Sequence, residues 1–519
     1  MAKSSETPVL IVGGGAAGTM LSLELARHNV EARTVDRLAE PAKTSKAITI
    51  HARMAEIFER IDPRLMDRYR ARAILNKGYV LHLVDDAGAR REVRPGIDFT
   101  GLESKYPFIF IHSQSETEQV LRDYLRDEYG RSTQWGVYCK TVEHLVDGVL
   151  ATLEHADGSL ELVHCQYLVA CDGMNSRIRR SLGLIQDESD YAGTKMQNLD
   201  VVLHDFPDAE DYVHYCAGTD HFIMIVKLPG GYFRLLLSDR GEAADPNTTP
   251  ERAFMNLVDR HFDGVRLGDI VWHSKWESWV RLAKTYRDQN VFLAGDSAHV
   301  HSTTGGQGMN CCMQDAWNLG WKLGLVLNGL AAPELLDTYE RERRPIAEQV
   351  IWAASSLHEI FMGHGKGIDE RTERISDKAY LDAVVGRCSG LSYTYREVLA
   401  REDDDDLPGP GIGDRATAID FDADASVFTP QSASRYLLVG LTGSLGDIEE
   451  VRRVVSEIAG HFPDVLDTRS VSASEQFMAR CSDAAQLILV RPDGYIGNRC
   501  LLSNADRLAR ALKAELGIA

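Results

Sequence analysis

The chain has 519 residues, a formal net charge of −20 and 44% hydrophobic residues; it is too long for one ordinary core, so two or three domains are expected. The acidity argues against nucleic acid or an anionic membrane as partner, no apolar run approaches the length that spans a bilayer, and the opening MAKSSETP has no apolar signal core. Nine cysteines, an odd number without a Cys-x-x-Cys pair, fit a reducing cytoplasm.

The first predicted element is a short buried strand, residues 8–12, followed by Gly13-Gly14-Gly15-Ala16-Ala17-Gly18 and an apolar helix. Gly13, Gly15 and Gly18 fit the dinucleotide fingerprint: a tight turn, a backbone approach to pyrophosphate, and close packing of helix on strand. A second strand, 32–35, ends at Asp36, where a carboxylate would read a ribose hydroxyl pair. The motif does not choose between FAD and NAD. Residues 1–75 form this first unit. Alternating patterns over 76–108, such as Tyr79-Val-Leu-His-Leu-Val, suggest strands inserted from a second domain. Residues 109–183 return to the first domain through a helix, a hairpin near Asp157-Gly158, and a buried strand ending at Asp172-Gly173, where Asp172 can cap the basic helix that follows.

Residues 184–280 read as a β-rich domain. VVLHDF, YVHYCA, HFIMIVKL and YFRLLLSD are strand-like, Pro229-Gly230-Gly231 marks a hairpin turn, and a helix over 249–261 backs the sheet. From 281 to 400 the chain returns to the first domain and then runs helically. Here lies the most informative segment: an apolar strand, then Gly295-Asp296, then Gly305-Gly306-Gln307-Gly308 opening an apolar helix. Such a helix end offers free N–H groups and a positive dipole, suited to an electron-rich ring that gains negative charge on reduction, as a flavin does. Residues 401–415, with the run Glu402 to Asp406 and then Pro and Gly, read as an exposed linker. Residues 416–519 read as a small α/β module, with strands YLLVGL, 466–471 and QLILVRPDGYIG and helices over 448–462 and 504–516.

GGGAAG, CDGMNSRIRRSLG and AGDSAHVHSTTGGQGMNCCMQDAWNLGWKLGLVL together resemble the three fingerprints of the single-component FAD-dependent aromatic hydroxylases. These are the p-hydroxybenzoate-hydroxylase-like group A flavoprotein monooxygenases. The resemblance is to the phenol hydroxylase and polyketide hydroxylase form, with a C-terminal thioredoxin-like domain. It implies an α/β fold in which a Rossmann-like FAD-binding domain (1–75, 109–183 and 281–400) interleaves with a β-rich substrate domain (76–108 and 184–280), followed by linker 401–415 and a thioredoxin-like domain, 416–519, that lacks Cys-x-x-Cys. It also implies reduction of FAD by NADPH or NADH, reaction with O₂ through C4a-hydroperoxyflavin, and hydroxylation of a phenolic or polycyclic aromatic small molecule. A homodimer, helped by the C-terminal module, fits the same picture.

The family's cofactor residues carry over to Gly13, Gly15, Ala17 and Gly18 at the pyrophosphate, and to Asp36 and Arg37 at the adenosine ribose. Lys46 and Arg53 become cofactor-side cations, and Gln114 and Asp296 ribityl contacts. Asp172 and Gly173 belong to the motif linked to both cofactors, and Gly295 precedes the ribityl acid. Thr303, Gly306, Gln307, Gly308, Met309 and Asn310 lie against the flavin ring. Thr303 stands where relatives carry Pro. For substrate activation the candidates are Arg281, His51 and Tyr232; His51 reads either as a base or as a packed or FAD-side residue, and Tyr232, like His221, as a pocket wall or core residue. No metal is expected: His299 and His301 show no Cys or carboxylate at ligand spacing. Rival readings are a flavin oxidase or dehydrogenase, a halogenase-like flavoenzyme and a non-catalytic binder of aromatic ligands.

Overall fold

The computed structural model describes residues 3–43, 46–184, 186–188, 194–207, 211–238, 247–362, 367–402, 404–416, 435–442, 448–472 and 484–518. Its first layer is an eight-stranded sheet. The order Arg287–Asp288, Val291–Leu293, Leu160–Ala170, Lys3–Val12, Ala32–Asp36, Gln134–Trp135 forms the main path, and the hairpin Val137–Leu145 and Gly148–His155 joins on Leu160–Ala170. Lys3–Val12 lies parallel to both Leu160–Ala170 and Ala32–Asp36. Its Val9-Leu10-Ile11-Val12 run is buried throughout, as a central strand covered on both faces requires.

Two helices that follow glycine turns pack on each other beside this sheet: Ala16–Arg27 and Gly308–Leu327. Glycines at helical spacing permit the approach. A Cβ on Gly320 would stand 2.6 Å from Glu24 Cγ, and one on Gly324 would stand 2.3 Å from His28 Nδ1.

The second layer is a seven-stranded sheet in the order Arg266–Ser278, Thr194–His204, Phe233–Ser238, Phe222–Lys227, Tyr212–Ala217, Gly78–Val84, Arg90–Asp98. Strands from 76–108 and from 184–280 therefore share one sheet; Gly78–Val84 runs parallel to Tyr212–Ala217 and the other pairs are antiparallel. Strand alternation divides its side chains between two cores. Leu199, Ile223, Ile225 and Leu235 meet Phe254 and Val258 of the helix Pro250–His261. Met196, Tyr215, Met224 and Leu236 face the opposite way.

That opposite face is covered by helices from the segment read as returning to the first domain. Thr338–Met362 and Lys378–Ser389 bring Leu357, Phe361, Val384 and Cys388 into the same core, and Phe361 stacks on Tyr215 with ring centroids 4.4 Å apart. The helical run expected in this segment carries no indication of the surface it covers.

The C-terminal module is a four-stranded sheet in the order Leu466–Ser472, Tyr436–Thr442, Gln486–Val490, Ile496–Leu501. The first pair is parallel and the others are antiparallel, with helices Ile448–His461 and Ala505–Leu516 packed on it. This is the thioredoxin-like arrangement. Its core continues into the first layer through Trp321 and Leu325 of Gly308–Leu327. The acidic segment differs from a free linker. Asp405 accepts hydrogen bonds from the Leu501 N–H (2.8 Å) and Asn504 Nδ2 (2.9 Å), and buried Arg415 pairs with both oxygens of Glu56 at 2.8 Å. Asp403 lies outside the described residues. Among the described residues, no helix is long and apolar enough to cross a membrane.

Candidate active site

Three loops converge at the carboxyl ends of the parallel strands Lys3–Val12, Leu160–Ala170 and Val291–Leu293, the edge where open α/β sheets bind ligands. In the first loop, Gly13 adopts φ +115° and donates its N–H to Val35 O at 2.8 Å. A Cβ there would stand 2.1 Å from Cys171 O, and one on Gly18 would stand 1.8 Å from Gly13 O. Gly15 differs, since a Cβ there would meet only Glu118 Oε1, at 3.7 Å. The helix it opens has no side-chain cap and no acid in its first turn, so its N-terminal dipole is free for an anion. Asp36 closes the loop: its Oδ2 accepts from the Gly14 N–H at 2.7 Å and its Oδ1 from the Leu38 N–H at 2.8 Å. Arg37 is exposed beside it.

In the second loop, Asp172 Oδ2 accepts from the Arg177 and Ile178 N–H groups at 2.9 and 3.4 Å, as a helix cap, while its buried Oδ1 has no partner among the described residues. Gly173 adopts φ +82°, with nothing within 4 Å of where a Cβ would stand. Arg179 ties this loop to the third by donating to Ser297 O at 2.7 Å.

The third loop is the most heavily braced. Gly295, φ +65°, sits against the first fingerprint: a Cβ there would stand 3.1 Å from Ala17 Cβ. Asp296 is exposed towards the loops and accepts from Cys312 Sγ at 3.2 Å. Lys46 lies over the Trp276 ring at 4.6 Å; burial lowers its pKa against the opposing pull of Asp296. Gly305 and Gly306 take left-handed φ of +87° and +66°, and a Cβ on Gly306 would stand 2.9 Å from Thr49 Cβ. The Thr303 carbonyl closes this turn by accepting from the Gly306 N–H at 3.1 Å. Gly308–Leu327 then begins with no side-chain cap and no acid in its first turn. Gln307 Nε2 donates to Cys388 O, and Met309 is buried.

Asn310 and His51 hold the turn in place. Asn310 Oδ1 accepts from the His51 N–H at 2.9 Å, and its Nδ2 donates to Thr49 O and Gly306 O at 2.9 and 2.8 Å. The His51 ring meets Gly305 O at 2.9 Å. A carbonyl only accepts, so Nε2 carries the hydrogen. Burial pushes the His51 pKa down to about 4 despite this bond. A neutral imidazole in this position braces the glycine turn.

The other candidates are placed as follows. Gln114 donates its N–H to Ala47 O at 2.9 Å and its Nε2 to Glu118 Oε1 at 2.9 Å, at the open side of Gly15. Arg281 lies beside the third loop, on a strand paired with Val300, with its guanidinium over Trp279 at 4.7 Å. Tyr232 is half-buried, folded back over the Gly230 turn, and burial raises its pKa. Among the described residues, no hydrogen bond or ion pair joins Arg281, His51 and Tyr232. Arg53 is held by a different module. Its guanidinium donates to Asp493 O at 2.9 Å, pairs with Glu56 at 3.1 Å and lies over Tyr495 at 4.9 Å. Its charge is thus engaged with the C-terminal module, through a partner 440 residues away that local sequence does not reveal.

A correction concerns His299. Cys311 and Asp315 do stand beside it, with one ligand atom of each within 4.8 Å of the others. Asp315 accepts from His299 Nε2 at 2.6 Å, Arg343 Nε at 2.8 Å and the Gly295 N–H at 3.2 Å. Burial opposes both charges, yet Cys311 and Asp315 lift His299 well above its ordinary pKa, and His299 and Arg343 hold Asp315 below its own. The Arg343 guanidinium already supplies a cation here, and the hub anchors the 295–299 loop to two helices. Its sequence signal was one acid within an apolar helix face.

These features fit FAD. Two uncapped helix N-termini suit groups that carry or gain negative charge, Asp36 ends the second strand of the glycine-turn unit, and Gly15 and Gly173 leave backbone open to a ligand. Comparison with known proteins agrees. Residues 6–354 match the FAD binding domain family FAD_binding_3. Pentachlorophenol 4-monooxygenase of Sphingobium chlorophenolicum is 36% identical over 532 aligned residues, covering 99% of this chain and 97% of that protein. The 6-methylpretetramide 4-monooxygenase of Streptomyces rimosus is 35% identical over 66% of this chain and 60% of that one. Among solved structures, the anhydrotetracycline hydroxylase OxyS of Streptomyces rimosus superposes with a TM-score of 0.73 at 28% identity, covering 99% of both chains. The flavin-dependent monooxygenase PieE, in complex with FAD and substrate, shares the fold with a TM-score of 0.79 at 22% identity over 99% of both chains. Fold and site together define a flavoprotein of the aromatic-hydroxylase type. The chain belongs to the FAD-dependent aromatic monooxygenases.

Proposed function

We propose that this enzyme uses NADPH or NADH and O₂ to hydroxylate a phenolic ring held between the seven-stranded sheet and the glycine turn. The observation that carries this reading is the end-to-end match to a monooxygenase whose named substrate is a chlorinated phenol. FAD, when bound, supplies two-electron reduction and oxygen activation. The protein's part is positioning and electrostatics. The uncapped end of Gly308–Leu327 would favour negative charge on a flavin ring bound at this turn. Asp296 and Gln114 would hold the ribityl chain, and His51 and Asn310 keep the turn rigid. Met196, Tyr215, Met224 and Leu236 form an apolar wall that excludes water. Lys46 over Trp276, with Arg281 over Trp279, supplies cations that favour a phenolate over a phenol.

The test is flavin reduction by NADPH across single-ring and polycyclic phenols, with product and peroxide measured together. A substrate accelerates reduction and acquires one oxygen from O₂. If every phenol yields peroxide alone, the oxidase reading suggested by Thr303 in place of the family's Pro takes over. If no phenol accelerates reduction, the hydroxylase reading fails.

A further inference from the structure

The C-terminal module does more than lie against the flavin-side layer. Its turn over 491–495 enters a buried socket built by three helices, Ala52–Ile61, Gly308–Leu327 and Thr338–Met362. Arg491 donates to both oxygens of Glu342, at 2.9 and 2.7 Å, and to Asp493 Oδ2 at 2.7 Å. Glu342 also accepts from Lys322 Nζ at 2.8 Å and Asn318 Nδ2 at 2.7 Å. The Asp493 carbonyl accepts from Arg53 at 2.9 Å and from Trp317 Nε1 at 3.4 Å. Arg60 donates to Pro492 O at 3.0 Å and Arg491 O at 3.2 Å. The Tyr495 ring lies between the Arg53 guanidinium, at 4.9 Å, and the Tyr395 ring, at 4.3 Å.

The socket leads directly to the flavin turn. Arg53 is two residues from His51, the N-cap of the helix Ala52–Ile61. His51 holds Gly305 O through its ring and Asn310 through its N–H. A Cβ on Gly390, at the end of the helix whose Cys388 carbonyl receives Gln307, would stand 2.9 Å from Arg53 Cβ. Arg53 therefore adjoins both braces of the glycine turn, and its side chain is fixed from the far side by another module.

We propose that the 491–495 turn is a positioning element of the flavin site, acting through Arg53 on the 305–310 loop. The proposal rests on the placement of FAD at that loop. It makes the C-terminal module part of the catalytic apparatus, with Arg53 and Tyr495 as positioning residues that do not touch substrate or flavin.

The test uses the full-length holoenzyme and four variants. Tyr495→Leu removes the ring over Arg53, and Arg53→Lys keeps the charge but loses the planar group that stacks and donates. Tyr495→Phe keeps the ring. Leu508→Ala opens a cavity in the module's core, away from the turn. Tyr495→Leu and Arg53→Lys are expected to weaken FAD binding about tenfold, the scale of one buried cation–π contact. They should also alter the visible circular dichroism of bound flavin and slow its reduction. Tyr495→Phe should restore wild-type values, and Leu508→Ala should lower the thermal midpoint with flavin dichroism unchanged. The proposal is overturned if the turn variants lower the midpoint as Leu508→Ala does while flavin spectra and affinity stay put. It is equally overturned if Leu508→Ala perturbs the flavin as much as they do. A flavin spectrum in the wild-type protein separates this test from that of cofactor placement. Should Tyr495→Leu not fold, Arg53→Lys alone decides.

Discussion

Gly18 and Gly13 meet at a point where no side chain fits, because a Cβ on Gly18 would fall 1.8 Å from the Gly13 carbonyl oxygen. The obstacle is backbone, which cannot swing aside as a flexible side chain would. Gly18→Ala must therefore separate helix from strand, at a cost of about 1–3 kcal/mol for overpacking. It is expected to purify largely without FAD, read from the ratio of flavin to protein absorbance; full occupancy would show that the turn tolerates the shift. Asp36 tests the other end of this loop. Asp36→Ala removes the acceptor of the Gly14 and Leu38 N–H groups. Hydrogen bonds to a charged group contribute about 1.5–3 kcal/mol, so FAD should bind roughly 10- to 100-fold more weakly in a fluorescence titration. An unchanged affinity would assign Asp36 to loop structure alone. Such residues are legible in sequence because their work is local: glycines at a strand-to-helix turn, and an acid at the next strand's end. Arg53 is the contrary case. Its spacing resembles a cofactor contact, and only the fold shows Asp493 and Tyr495 arriving from the far end of the chain.

At the scale of elements, the strands Thr194–His204 and Phe233–Ser238 carry a buried ion pair. Arg234 donates to both oxygens of Asp200 at 2.7 Å and lies over Trp272 at 5.2 Å. Breaking such a pair leaves an uncompensated buried charge and costs about 3–5 kcal/mol. Asp200→Ala should therefore lower the thermal midpoint sharply, whereas Asp200→Leu with Arg234→Met should return most of the loss. A double variant as unstable as the single one would mean that the pair itself stabilises the sheet. Strands of this kind are readable because side chains alternate, and Gly78–Val84 and Arg90–Asp98 join the seven-stranded sheet. Helices were read less completely. The helical run expected before residue 400 is silent on which layer Thr338–Met362 and Lys378–Ser389 cover, and Phe361 stacking on Tyr215 is a tertiary choice. The acidic run misleads for a related reason. Charge and Pro-Gly content predict solvent exposure, yet Asp405 is drawn in by N–H donors of a strand that follows almost a hundred residues later.

For the whole molecule, buried histidines of opposite character set how stability depends on pH. His82 Nε2 faces His214 Nδ1 at 2.9 Å on the second sheet. Burial first, and His214 second, push the His82 pKa down to about 4; Glu92 at 3.7 Å opposes this and Arg94 adds to it. Nearby, His221 Nε2 faces His261 Nε2 at 2.8 Å with Asp220 on the other ring nitrogen of His221; burial first, then His221, His82, Arg260 and Arg90, take His261 to about 2. An unfolded histidine titrates near 6.5, so between about 4 and 6.5 the unfolded chain binds protons that the fold refuses. The stability from these groups is complete above 6.5 and is lost as pH falls towards 4. Each such histidine contributes a slope of about 1.4 kcal/mol per pH unit in that window. His299 has the opposite sign. Its raised pKa, set against burial by Cys311 and Asp315, gives stability that is full below 6.5 and declines as pH rises through its folded value. The two limbs place the optimum near neutral pH. Replacing His82 and His214 together by Leu removes the pair without leaving an unmatched nitrogen between them. The acid limb of the urea midpoint, followed from pH 7.5 to 4.5, should then flatten by about the slope of one histidine, with the alkaline limb unmoved. An acid limb as steep as in the parent protein would exclude this pair as a source of the acid sensitivity.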